Sequence, residues 1–437
     1  MDSEKWGIVG GGIMGMTLAH RLANGGKNVT VFEAASEVGG LASSWKMDEV
    51  EWDKFYHVIL LSDFRTRKIL EEIGLDKEIN WVETKTGFYI NGNLYSMSDT
   101  IEFLRFPTLN LIDKFRLGLT IIIASRIKNW KRLEKIPVTE WLRRWSGKKT
   151  FNKIWLPLLR AKLGQSYKKT SAVFIWATIQ RLYGARRSGL KKEMFGYVSG
   201  GYKKIISAFK DLLISEGVSI KTDHTANQVK KLQDGKIEIA FKSGFTEQFD
   251  KVIVTLPSGI AAKLCYQLKE SEIEKLQNIE YLGVVCVSVL LNKPVSDFYI
   301  TNITDSWIPF TGVIEMSALV DKKNFNGKSL IYLPKYVTAD DEIYQKSDEE
   351  IKESFLEIFT KMYPWIKSEN IRFAGVARAR NVITVAKLDY SENLPGIKTT
   401  IPNLFIVNTS HIKDGTLNVN ETIRVAETKL EEILEKS

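Results

Sequence analysis

The stretch from Trp6 to Trp45 constrains the fold of this chain more tightly than any other part of it. Trp6-Gly7-Ile8-Val9 is a short apolar run, and Gly10-Gly11-Gly12-Ile13-Met14-Gly15 is a G-x-G-x-x-G turn. A helical run continues to Asn24, and Val29-Thr30-Val31-Phe32 then ends on Glu33. Strand, glycine turn, helix and a second strand closed by an acid make the first unit of a dinucleotide-binding domain. Gly10 permits the tight turn, Gly12 lets backbone approach a pyrophosphate, and Gly15 allows the helix to pack close to the strand. The helix opening at Ile13 and Met14 offers unpaired N–H groups and a positive dipole end to an anion. Glu33 lies 18 residues beyond Gly15, where a carboxylate can accept hydrogen bonds from both hydroxyls of an adenosine ribose. A lone glycine turn is weak evidence; with both strands and the acid it points to a bound dinucleotide.

The residues after the acid bear on which dinucleotide. Ala34 leads through Ser36 and Val38 into a second glycine pair, Gly39-Gly40, followed by Leu41 and Ala42. On these residues the chain resembles the FAD-binding amine oxidase superfamily, which includes protoporphyrinogen oxidases, carotenoid-type desaturases and UDP-galactopyranose mutases. There the second turn closes over the pyrophosphate and flavin. The resemblance therefore implies FAD, held by Gly10, Gly12, Ile13, Met14, Gly15, Glu33, Ala34, Gly39, Gly40, Leu41 and Ala42. It extends to the tail, where Asn403-Leu404-Phe405-Ile406-Val407-Asn408 reads as a strand and Asn418-Val419-Asn420 opens a helix. In the family this helix start faces the flavin pyrimidine edge, which makes Asn408, Asn418, Val419 and Asn420 further cofactor candidates. Where the family has Gly-Asp at the strand end, this chain has Asn408-Thr409.

A length of 437 residues suits two or three domains. Hydrophobic residues at 44% and charged residues at 26% describe an ordinary globular chain with ample core. The expected fold class is α/β: a Rossmann-like FAD-binding domain interleaved with an antiparallel-sheet substrate domain and a helical insert. The FAD-binding domain is expected over 1–85, 196–257 and 395–437, the mainly helical basic insert with part of the substrate domain over 86–195, and the rest of the substrate domain over 258–394. No signal peptide or bilayer-length apolar run is visible. Cys265 and Cys286 read as buried free thiols of a reducing cytoplasm. The four histidines and two cysteines show no metal-ligand spacing, so no metal is expected.

Catalytic candidates each carry a duller reading. His57, in Phe55-Tyr56-His57-Val58-Ile59, falls where related flavoproteins place a His-containing strand against the flavin, or is a satisfied core histidine. Lys162 could reach flavin N5 through water or bind an anionic substrate, or be one more Lys on a basic helix. Tyr202, after Gly200-Gly201, could line the substrate mouth, or the glycines could merely shape a turn. Arg378 and Arg380 share one face of a strand, so both could enter the cavity as phosphate or carboxylate partners, or cap a sheet edge in solvent. Glu315 is a weaker candidate; Trp307 and Phe310 read as cavity wall.

Charge is asymmetric. From Arg126 to Lys204 there are 21 Lys/Arg against three acids, a net +18 in a chain whose total is +10. The run is interleaved with Trp130, Trp141, Trp145, Trp155 and Trp176. No nucleic-acid-binding motif accompanies it. An anionic membrane surface would engage many of these cations, with Trp suited to the interface. The expectation is a cytoplasmic protein, peripheral on the inner face of the membrane. Its function reads as an FAD-dependent oxidoreductase taking a hydride from an apolar or anionic small-molecule or lipid-linked substrate. Two alternatives stay open: a redox-neutral mutase of nucleotide sugars, and a non-catalytic flavin-binding protein at the membrane surface.

Overall fold

The computed structural model describes residues 4–98, 100–184 and 193–435. Its centre is a five-stranded parallel sheet in the order Ser219–Lys221, β2 (Asn28–Phe32), β1 (Lys5–Val9), Lys251–Val254, Leu404–Ile406. Chain segments far apart in sequence supply these strands, so the sheet closes only when the chain has returned to it twice. Alternation along the strands gives the sheet two apolar faces. Trp6, Ile8, Val31 and Ile253 pack beneath α1 (Ile13–Asn24) and the helices Gly201–Ser215 and Val419–Leu434. Val9, Phe32, Val252 and Val254 pack against a three-stranded meander, Ala226–Lys231, Ile237–Phe241 and Thr246–Phe249. Helix Val419–Leu434 is amphipathic: Ile423, Ala426, Leu430 and Ile433 are buried at three- and four-residue spacing. Each such aliphatic side chain, fully buried, stabilises by about 1.5–3 kcal/mol.

A second sheet has seven strands, ordered Ile371–Thr384, Tyr281–Leu291, Ser329–Val337, Gly312–Glu315, Ile300–Ile303, Thr86–Ile90, Asn93–Ser96. The expected antiparallel sheet is thus observed with one exception: Ile300–Ile303 runs parallel to Thr86–Ile90. The later strand pairs with the free edge of the Asn91-Gly92 hairpin. Tyr281–Leu291 is buried along its whole length, and its alternate residues divide between two faces. Val284, Cys286 and Leu290 face Trp52, Leu60 and Tyr197 of the nucleotide-binding half. Val285, Val287 and Val289 face Ile351, Phe355 and Phe359 of helix Asp348–Met362. Cys265 and Cys286 are both buried and unpaired.

The basic segment folds as a helical unit, with helices Leu111–Arg126, Val138–Thr150, Leu156–Leu163 and Val173–Gly184. Trp141, Trp155 and Trp176 are buried in its core, and Trp130 and Trp145 pack against it half-buried. Several cations find acids from other parts of the chain: Lys149 with Asp113, Arg181 with Asp63, Lys169 with Glu280 and Lys204 with Glu78. The exposed apolar surface lies on a helix the Trp pattern did not mark. Ile112, Phe115, Leu119 and Ile122 project from one face of Leu111–Arg126, and Ile112 and Phe115 are each 71% exposed. Among the described residues no helix is long and apolar enough to cross a membrane.

Candidate active site

The first glycine turn has the geometry its spacing predicts. The Gly10 N–H donates to Phe32 O at 2.8 Å, and Gly10 adopts φ +113 beside Thr255, a conformation closed to residues with a side chain. A Cβ on Gly15 would collide with Gly10 O, which explains a glycine inside a helix. Gly12 caps α1 without any side-chain partner for the helix end. The first intrahelical bond is Met16 N–H to Gly12 O, so the N–H groups of Ile13, Met14 and Gly15 have none. Space adjoins this helix start: a Cβ at Gly12 would meet only Gly40 Cα, at 3.9 Å. The second turn lies against the first through Gly39 N–H to Gly11 O, 2.8 Å, and Gly40, Leu41 and Ala42 form a short 3-10 turn beside it. Paired glycine backbones flanking an uncapped helix end fit a dinucleotide pyrophosphate.

Glu33 anchors this arrangement. Its Oε2 accepts the Gly11 N–H at 2.7 Å and its Oε1 the Ala35 N–H at 2.9 Å, with Ala34 exposed between. A carboxylate has about four lone-pair sites, so two remain for a ribose.

The tail residues divide. Asn408 is 1% exposed; its amide donates to Leu256 O at 2.8 Å and Ser258 Oγ at 3.2 Å, and its oxygen accepts from Ser410 N at 3.0 Å. The expected cofactor contact by this side chain is corrected: Asn408 ties two strand ends together, and all its polar groups are engaged. Asn418 caps its own helix by accepting the Glu421 N–H at 3.0 Å. Asn420 Oδ1 caps a neighbouring helix, Phe64–Glu72, accepting from Arg65 N at 2.9 Å and Thr66 N at 3.3 Å. What the helix start offers a cofactor is therefore backbone, the N–H groups of Val419 and Asn420.

A partly buried aromatic cluster packs on the inner face of the large sheet. Leu41, Trp45 and Leu417 approach from the nucleotide-binding half, and Tyr56, Tyr336 and Phe373 complete it. Trp45 meets Phe373 edge-on, with ring centroids 5.9 Å apart. The hydroxyls of Tyr56 and Tyr336 bond to each other at 2.9 Å, and Lys162 Nζ sits 3.6 Å from the Tyr336 ring centroid. Tyr56, Lys162 and Tyr336 keep accessible surface. Burial nonetheless lowers the Lys162 ammonium to about 7, helped by the Arg181 charge, and raises the Tyr56 phenol to about 12. Near neutral pH Lys162 is poised between ammonium and free amine.

His57 is not on a strand as expected; it lies in the loop between Val50–Asp53 and Ile59–Leu60. Its ring packs 4.9 Å from the Tyr202 ring, and its Nδ1 is 3.6 Å from Asp53 Oδ2. Tyr202 is buried rather than at a mouth, and its N–H donates to Asp53 Oδ1 at 2.9 Å. Arg378 and Arg380 do share a strand face, but it is the outer one, with Arg378 opposite Val285. Arg378 Nε donates to Asp348 Oδ1 at 2.8 Å, and Arg380 stacks over Tyr344 at 4.1 Å. The cavity assignment of both is corrected, because register sets the face and one residue of shift inverts it. Glu315 is buried and engaged locally; it accepts the Val295 N–H at 2.9 Å and the Ser317 hydroxyl. Phe310 belongs to the outer core beside Phe355, and Trp307 is half exposed, so neither is cavity wall. Sequence reading passed over Trp45, Tyr56, Tyr336, Phe373 and Asp53. Only Asp53 left a signal, an acid four residues before His57.

A parallel nucleotide sheet with two glycine turns, joined to a large second sheet through an aromatic cluster, defines a flavoprotein oxidoreductase architecture. Residues 13–386 match the family of flavin containing amine oxidoreductases, and the chain belongs to that family. FAD is the family's cofactor, and the two turns fit it. The chain is 27% identical over 122 residues to protoporphyrinogen oxidase 2 of Arabidopsis thaliana, covering 27% of this chain and 24% of that protein. It is 20% identical over 383 residues to the 15-cis-phytoene desaturase of Capsicum annuum, covering 82% and 64%. The chain thus spans less than two thirds of the length of either relative. Reduced UDP-galactopyranose mutase has a similar fold, with a TM-score of 0.76 at 14% identity, covering 100% of this chain and 96% of that one.

Proposed function

We propose that the protein is an FAD-dependent oxidoreductase that removes a hydride from an apolar or anionic small-molecule or lipid-linked substrate. The observation that carries this reading is the pair of glycine turns around the uncapped start of the helix Ile13–Asn24, with the aromatic cluster of Trp45, Tyr56, Tyr336 and Phe373 nearby in the fold and Lys162 over the Tyr336 ring. Bound FAD would supply the hydride acceptor; the chain supplies orientation, dryness and charge. Gly12, Gly39, Gly40 and the N–H groups of Ile13, Met14 and Gly15 would hold the pyrophosphate, and Glu33 with Ala34 the ribose. The N–H groups of Val419 and Asn420 would stabilise negative charge at the flavin. Leu41 and the aromatic rings exclude water, and Lys162 can take or release a proton. The test is anaerobic bleaching of the purified yellow protein by amines, polyprenoids and nucleotide sugars. Bleaching by one class without added reductant supports the reading. Turnover of a nucleotide sugar only after dithionite reduction replaces it with the mutase reading; no response under any condition leaves a flavin-binding protein without turnover.

The helical unit extends the proposal to an anionic membrane surface, at the inner face of the membrane. Ile112, Phe115, Leu119 and Ile122 form an apolar strip, and Arg126, Lys128, Lys131 and Arg132 are exposed on the same unit. Each basic residue near an anionic surface contributes about 1 kcal/mol. In liposome sedimentation, binding should require phosphatidylglycerol, weaken with salt, and be lost in Ile112→Asp/Phe115→Asp. Equal recovery in the supernatant with neutral and anionic liposomes at low salt refutes it.

A further inference from the structure

Asp53 ends strand Val50–Asp53 and is 1% exposed. Its Oδ1 accepts the Tyr202 N–H at 2.9 Å, and its backbone carbonyl accepts the Tyr332 hydroxyl at 2.6 Å. Helix and large sheet thus fix the residue from two sides. Its other carboxyl oxygen lies 3.6 Å from His57 Nδ1. That nitrogen is sealed from solvent and has no hydrogen-bond partner. A sealed imidazole nitrogen and a carboxylate lone pair facing each other at this distance are one small ring rotation from a hydrogen bond. The His57 side chain as a whole keeps 19% exposure and lines a void with Val58, Tyr197, Tyr202 and Ile205. Access therefore belongs to the other side of the ring, Nε2. Burial raises the Asp53 carboxyl above its usual range, and the His57 ring and the Tyr202 N–H offset only part of that rise.

We propose that Asp53 is a positioning residue for His57: it keeps the proton on Nδ1 and leaves the Nε2 lone pair free to accept a proton from substrate. The proposal rests on the oxidoreductase reading and deepens it. The step is a proton transfer alone. An O–H or N–H bond of the substrate breaks, the proton joins Nε2, and the electron pair stays on the substrate heteroatom. The imidazolium so formed is stabilised by the Asp53 carboxylate, which does not itself take the proton.

The tautomer of His57 tests this without a known substrate. The chain has four histidines, so selective nitrogen labelling of the FAD-loaded full-length protein gives a short set of imidazole signals. Loss of one set in His57→Gln identifies the residue. The wild-type protein should carry the proton on Nδ1. Asp53→Asn keeps the side-chain shape and the acceptor for the Tyr202 N–H, but turns an N–H toward His57 and should move the proton to Nε2. A wild-type proton on Nε2 overturns the proposal, as does an unchanged tautomer in Asp53→Asn with wild-type near-ultraviolet dichroism. If Asp53→Asn fails to fold, the wild-type tautomer decides alone. Flavin loading is read separately from absorbance: a protein that takes up no added FAD, with the Nδ1 proton in place, refutes the cofactor reading and leaves the Asp53 assignment standing.

Discussion

Gly12→Val separates a nucleotide-binding turn from a merely structural one. Gly12 has φ −73 and ψ 178, extended backbone open to any residue, and its built Cβ meets only Gly40 Cα at 3.9 Å. The deflavinated protein should therefore tolerate the change. Its cost is the poor cap that Val makes at a helix N-terminus, about 1 kcal/mol. With FAD the result differs, because the branched side chain occupies the space expected for the pyrophosphate. Two N–H bonds to a charged phosphate are worth about 1.5–3 kcal/mol each, so their loss weakens FAD binding by roughly 10²–10⁴-fold. Gly15→Ala is the contrast: its Cβ collides with Gly10 O, so the apoprotein itself should be destabilised. The assays are denaturant unfolding of deflavinated protein and FAD titration by flavin fluorescence. A yellow Gly12→Val protein with wild-type FAD affinity would refute the reasoning, as would an apoprotein destabilised as much as Gly15→Ala.

Glu33→Ala removes the acceptor for Gly11 N–H and Ala35 N–H and should release part of the FAD during purification, read from the flavin-to-protein absorbance ratio. Unchanged flavin content would return Glu33 to a purely local role. Lys162 is lowered to about 7 in the folded state from 10.5. The unfolded chain then binds more protons between these values, so folding stability should rise with pH across that window. Denaturation midpoints of wild type and Lys162→Met at pH 7 and pH 10 check this: the variant should lose most of the rise. Glu315 shows the opposite sign. Burial raises its carboxyl to about 7 from 4.5, so its contribution is complete below 4.5 and is lost as pH rises through 7. Glu315→Gln should flatten that fall, with the same unfolding measurement as the check.

Local physics made the cofactor half legible. The turn at Gly10–Gly15, the acid at Glu33 and the pair Gly39-Gly40 are short-range patterns, because pyrophosphate is bound by backbone that only particular residues permit. The strand type of the buried run Tyr281–Leu291 followed from its apolar character, and the helix opening at Asn418 from the resemblance. Which way a side chain faces was not legible. Arg378 and Arg380 lie outward because strand register against Tyr281–Leu291 places them there. The tryptophans of the helical unit are core because the helices pack on them, while the apolar strip from Ile112 to Ile122 stays uncovered. Tyr56 meets Tyr336 across 280 positions of sequence, and Lys162 reaches the same ring from a third segment. The sequence by itself determined the nucleotide-binding unit, and its resemblance to the amine oxidase superfamily pointed to FAD. The aromatic cluster, its desolvated lysine and the pairing of Asp53 with His57 were decided by tertiary structure, since each brings together side chains from distant strands and helices.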